Sequence, residues 1–151
     1  MKDQFYLHFE TMPTTTAQQK GVYVKNGRPF FYEKEKVKVA RQQFIAELLP
    51  HRPPKPSALP IKLTVWFAFD VKNKNLWGHD VDDTEEPWTG HEYKPTRPDT
   101  ENSLKLLKDC MTGIFFVDDS QVVDERIIKT YAEKATIMIR WEEVLTKGGK
   151  T

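Results

Sequence analysis

The chain has 151 residues and a mass of 17.7 kDa, the size of a single domain (1–151) that can bury a real core. Its 23 basic and 22 acidic residues leave a formal charge of +1, which excludes a polybasic, histone-like binder, and its one cysteine, Cys110, excludes an internal disulfide and a Cys-based zinc site. No run approaches the roughly 18 apolar residues of a membrane span, and the first ten residues lack a signal-peptide core, so the expectation is a cytoplasmic protein with no membrane partner.

In chain order, residues 5–10 read as a short strand ending before Met12-Pro13, and residues 14–21 as a polar loop without apolar period. Val22-Tyr23-Val24-Lys25 and Arg28-Pro29-Phe30-Phe31-Tyr32 flank Asn26-Gly27, the signature of a β-hairpin with a type I′ turn. From Glu33 the period becomes helical, with Val37, Ala40, Phe44 and Leu48 on one stripe, and Pro50 stops it. Ile61, Leu63, Val65, Phe67 and Phe69 alternate with Lys62, Thr64, Trp66 and Ala68. Both faces are largely apolar, which predicts a central strand.

Residues 72–98 show no sustained period and form a long loop or insertion, a feature that in a small domain is usually functional or mobile. Residues 99–111 form an amphipathic helix. Glu101, Asn102, Lys105, Lys108 and Asp109 lie on one arc, Leu104, Leu107, Cys110 and Met111 on the other, and Gly113 is the stop. Residues 115–117 and 121–131 read as strand material around Asp118-Asp119, and Ile137, Ile139 and Trp141 mark a last strand. The order predicts an α+β fold, a small mixed β-sheet with two main helices packed on it.

The small net charge is a cancellation. Residues 1–62 carry eleven basic and five acidic side chains, whereas residues 70–101 carry four basic and nine acidic. A basic half beside a carboxylate-rich segment suits a site where acids hold a metal and surrounding Lys and Arg hold a polyanion. The candidate phosphate-tracking residues are Lys20, Lys25 and Arg28 near the hairpin, Lys34, Lys36, Lys38 and Arg41 on the first helix, and Arg97 and Lys108; singly, each also reads as a solvated charge.

Asp99, Glu101 and Asp119 are the acids with chemical promise. A helix start tolerates two carboxylates, and three converging without a cation call for a hard divalent ion, Mg²⁺ or Mn²⁺. Such an ion activates water for attack on a phosphodiester while Lys105, one turn after Glu101, neutralises developing charge. The alternative is structural: Asp99 caps the helix, Glu101 pairs with Lys105, and Asp118-Asp119 is a polar turn. The acids Asp80, Asp82, Asp83, Glu85 and Glu86 lack the glycine and terminal glutamate of a calcium loop and read as a solvated loop. Trp66 and Trp141 read as core, and Trp77 and Trp88, in the insertion, as candidate platforms for exposed bases.

The segment Arg97-Pro98-Asp99-Thr100-Glu101-Asn102-Ser103-Leu104-Lys105, followed by Gly113-Ile114-Phe115-Phe116-Val117-Asp118-Asp119-Ser120-Gln121-Val122-Val123, resembles the signature of the RusA family of Holliday junction resolvases, common in phages and prophages. The resemblance implies a homodimeric, Mg²⁺-dependent endonuclease that cuts four-way DNA symmetrically, with Mn²⁺ as a possible substitute. It implies metal-binding acids at Asp99, Glu101 and Asp119 and an essential lysine at Lys105, with Asp118 and Asn102 in supporting positions. Glu101 stands where the family more often has Asp, the preceding basic run is reduced to Lys94-Pro95-Thr96-Arg97, and the acidic stretch 74–92 is not part of the pattern. A metal nuclease of other branched or duplex DNA, and a DNA-binding protein of the same fold without catalysis, are the rival expectations.

Overall fold

The computed structural model describes residues 1–13, 20–98 and 100–147, without the side chains of Lys20 and Glu33. The strands are β1 (Lys2–His8), β2 (Lys20–Lys25), β3 (Arg28–Glu33), β4 (Ile61–Asp70), β5 (Val122–Ala132) and β6 (Thr136–Glu143), and the helices α1 (Glu35–Leu48) and α2 (Thr100–Met111). Four strands form one mixed sheet in the order β1-β6-β4-β5, and β2 and β3 form a separate hairpin.

β4 is interior because its side chains are apolar on both faces. It pairs antiparallel with β6 and parallel with β5, placing Val65 opposite both Ile139 and Ile127. On one face Leu63, Val65 and Phe67 pack with Leu7, Ile137, Ile139 and Trp141 beneath the helices. α1 contributes Val37, Ala40, Phe44 and Leu48, the stripe legible in the sequence, and α2 contributes Leu104, Leu107, Cys110 and Met111 together with Leu106. Pro50 does not end the chain's helical course outright; it enters a 3-10 turn at Leu49–His51.

The other face of β4 is covered by the insertion. Trp88, only 5 % exposed, packs with Trp66, Ala68, Ile128, Ala132 and Met138. Its ring meets Trp66 edge-on at 6.4 Å, while the guanidinium groups of Arg126 and Arg140 lie 5.1 and 5.7 Å from its centre. Arg140 also pairs with Glu86 at 2.9 Å. Trp88 is therefore not a base platform, because the second apolar face of β4 needs a cover and Trp88 supplies it. Trp77 is half-buried, with Nε1 donating to the Val71 carbonyl at 2.7 Å.

Asn26 and Gly27 have φ values of 53° and 75°, the left-handed pair that a two-residue I′ turn demands. The hairpin exposes an unusual amount of apolar surface: Val24 is 71 % and Phe31 74 % exposed, with Val22, Tyr23, Phe30 and Tyr32 also open. Residues 115–117, expected as strand, instead form a tight turn in which Phe116 bridges Ser57 and Thr112. No helix among the described residues is long and apolar enough to cross a membrane.

Candidate active site

α2 buries Ser103, Leu104, Leu106 and Leu107, which leaves Glu101 and Lys105 exposed, one turn apart on the outward arc, with Asn102 half-buried. Lys105 has no ion-pair partner among the described residues. Asp99 lies outside the described residues.

The chain leading to α2 is tied along the free edge of β5. Lys94 N–H donates to the Lys129 carbonyl at 3.1 Å and Tyr131 N–H to the Glu92 carbonyl at 2.9 Å. Lys129 then reaches from β5 to donate its ammonium to the carbonyls of Thr96 at 2.5 Å and Pro98 at 3.0 Å.

Asp118 and Asp119 have different environments although they are neighbours. The Asp118 carboxylate accepts from the Ser120 amide at 3.0 Å and from the Ser120 hydroxyl, starting the 3-10 turn Asp119–Gln121. The Ser120 hydroxyl, then its amide, hold the Asp118 carboxyl below its ordinary value. Gln121 completes the lock: Oε1 accepts from Asp118 N–H at 2.8 Å, and Nε2 donates to the carbonyls of Ser57 and Leu59, both at 2.8 Å. All the hydrogen-bonding directions of that amide except one acceptor lone pair are thereby used. Ser57 is itself fixed, its amide donating to the Phe115 carbonyl at 2.9 Å and its hydroxyl to Glu143 at 2.8 Å. The Ser57 hydroxyl, and after it the Met1 ammonium, hold the Glu143 carboxyl low. Asp119 is exposed; its backbone carbonyl accepts from Val122 N–H, and its carboxylate has no hydrogen-bond or ion-pair partner among the described residues.

Two contacts fix the direction of α2 against β5. Lys108, near the end of α2, pairs with Glu125 at 2.8 Å, and Pro98, before its start, meets Lys129. The helix thus runs antiparallel to the strand. At about 1.5 Å per helical residue and roughly 3.3 Å per strand residue, Glu101 and Asp119 of one chain stand on the order of 20 Å apart. Oxygens sharing one Mg²⁺ lie within about 4 Å of each other. Among the described residues, which leave out Asp99, no three Asp, Glu, His or Cys side chains are grouped to hold a metal.

Of the candidate basic residues, Lys25 and Arg28 face each other at the exposed hairpin tip, Lys34, Lys36, Lys38 and Arg97 are exposed, and Arg41 is half-buried. The side chain of Lys20 lies outside the described residues, and Lys108 is committed to Glu125. The sequence reading carries Gln121 only as part of the family signature, without a role of its own, and does not single out Lys129. Asp-x-x-Gln is a capping-box pattern, and a lone lysine between Ile127 and Tyr131 on a core-facing strand register was the available signal for the other.

A family model described as endodeoxyribonuclease RusA matches residues 10–142. The chain is 33 % identical over 147 residues to the crossover junction endodeoxyribonuclease RusA of Lactococcus phage r1t, covering 95 % of this chain and all of the phage protein. It is 27 % identical over 125 residues to the uncharacterized protein YqaN of Bacillus subtilis strain 168, covering 80 % of this chain and 84 % of that one. The class these matches define is that of the endodeoxyribonucleases. Within it, the chain belongs to the RusA family.

Proposed function

We propose that this protein is an endodeoxyribonuclease that resolves four-way DNA junctions by phosphodiester hydrolysis in recombination and repair. Mg²⁺ is its metal, Mn²⁺ a substitute, and the active unit a homodimer. The observation that carries the reading is the treatment of the adjacent acids: Gln121 and Ser120 use Asp118 to build a rigid turn, and that turn leaves the Asp119 carboxylate without a partner among the described residues. An exposed carboxylate held on a fixed backbone suits a ligand, since its own geometry is settled before an ion arrives.

The donor set of Glu101, Asp119 and Asp99 is all hard oxygen and fits a small divalent ion, which when bound supplies Lewis-acid neutralisation of the phosphodiester. Lys105, one turn from Glu101, stabilises charge on the phosphate oxygens. Lys25, Arg28, Lys34, Lys38 and Arg97 hold the DNA backbone, and Lys108 acts through Glu125 instead. Because one chain holds Glu101 and Asp119 at opposite ends of α2, a shared ion requires Asp119 from a second copy. A two-fold dimer then has two such sites, matching two symmetric cuts on a pseudo-two-fold junction. The hairpin's open Val22, Val24 and Phe31 offer apolar surface of the kind that protein interfaces cover.

Cleavage of synthetic four-way junctions, flaps and linear duplex tests the substrate. Selective, Mg²⁺-dependent cutting of the junction is expected, and Asp119→Asn abolishes cutting while preserving junction binding. Equal cutting of all three substrates points to a less selective metal nuclease, and binding without cleavage to a non-catalytic DNA-binding protein.

A further inference from the structure

Lys129 is the one lysine of β5, and its ammonium does not behave like a surface charge. It sits on the strand face that also carries Glu125 and Ile127, the face turned to α2. It donates to two backbone carbonyls, Thr96 and Pro98, and has no carboxylate partner among the described residues. Those carbonyls belong to the last turn of chain before the acids at the start of α2. A charged donor to two carbonyls is the stronger kind of hydrogen bond, and here it spans from the sheet to the loop. The same loop is tied at its other end by Lys94, whose amide donates to the Lys129 carbonyl and whose ammonium donates to the Thr96 hydroxyl at 2.7 Å. Residues 94–98 are therefore strapped to a strand as well as tied internally through Lys94 and Thr96.

We propose that Lys129 is a positioning residue for the metal-binding acid Glu101: by fixing residues 96–98 it sets where the start of α2 stands before an ion binds. The proposal rests on the site reading above. Partners bonded directly to metal ligands typically contribute 10–100-fold in metal affinity, and Lys129, which acts one step further back through the backbone, belongs at the lower end of that range. Lys129 touches neither DNA nor metal in this role, so its loss acts on metal affinity and leaves metal-free DNA binding alone.

The test is calorimetric titration of Mg²⁺ into the full-length protein, beside binding of a synthetic four-way junction in EDTA. Lys129→Met keeps the aliphatic stem and removes the donors; it is expected to bind Mg²⁺ at least about tenfold more weakly and to bind the junction within about twofold of wild type. Lys129→Arg, which keeps charge and donors, is expected to recover part of the affinity. It also covers the case in which Lys129→Met does not fold, since faster amide exchange at Thr96 and Arg97 in Lys129→Arg reports the same loosening. Unchanged Mg²⁺ affinity, or a loss of junction binding in EDTA with metal affinity intact, overturns the proposal, the second outcome making Lys129 a phosphate contact. Asp119→Asn separates the two layers. If it binds Mg²⁺ as wild type does, the site reading fails; if it loses Mg²⁺ while Lys129→Met does not, only the role of Lys129 fails.

Discussion

Mixing two inactive variants gives a direct readout of whether each site is built from one chain or two. In one chain Lys108 is anchored to Glu125 and Pro98 to Lys129, which sets Glu101 and Asp119 on the order of 20 Å apart, about five times the span that one Mg²⁺ bridges. Glu101→Gln and Asp119→Asn are each expected to be inactive as pure dimers, since every site then lacks one acid. A mixed dimer differs. One of its sites loses both acids, and the other joins the intact Glu101 of one chain to the intact Asp119 of its partner. Random reassociation of equal amounts makes about half the dimers mixed, so about a quarter of wild-type sites return. The assay is single-turnover cleavage of an end-labelled four-way junction after co-refolding the variants with different affinity tags, which verifies that mixed dimers exist. Activity near a quarter of wild type is expected, with one strand nicked rather than two cut in concert. Mixed dimers with no activity above the separate variants refute the two-chain site and require the acids to meet within one chain.

Gln121→Ala removes three hydrogen bonds and leaves the Leu59 carbonyl without its Gln121 donor, which costs about 1–3 kcal/mol by thermal melting and lowers cleavage more than junction binding. Gln121→Glu, which sets a carboxylate oxygen against the Ser57 and Leu59 carbonyls, is expected to cost at least as much. Trp88→Ala opens the second core face and costs about 3–5 kcal/mol. A base-stacking role for Trp88 would instead weaken junction binding at unchanged melting temperature. The Ser120 hydroxyl and amide hold the Asp118 carboxyl in the folded state below the ordinary aspartate value of 3.8, so its contribution is present above that pH and disappears as pH falls through the lower folded value. The melting-temperature gap between wild type and Asp118→Ala should therefore be constant near neutrality and close in acid below 3.8; a gap that widens there would contradict the hydrogen-bonded carboxylate.

Much of the fold is legible in local pattern. The α1 stripe Val37, Ala40, Phe44 and Leu48 and the Asn26-Gly27 turn were readable because each rests on neighbours within a few residues. β4 was readable as interior because both of its faces are apolar. What covered the second face was not, since Trp88 lies in a stretch without period and meets Trp66 only through the tertiary fold. The pair Asp118-Asp119 illustrates the same limit: spacing shows two acids, and only Ser120, Gln121, Ser57 and Leu59 together decide that one is a cap and the other is presented outward.

The sequence by itself determined the element order, the family signature at residues 97–123 and the uneven charge beneath a net +1, all of them local or compositional properties. Tertiary structure decided three other things. It set the direction of α2 against β5, and with it the distance between Glu101 and Asp119. It tied the loop before α2 to Lys129, and it placed the insertion as a cover for β4. These depend on which residues far apart in sequence meet, and no periodicity encodes that, because a helix presents the same stripe whichever way it lies on a sheet.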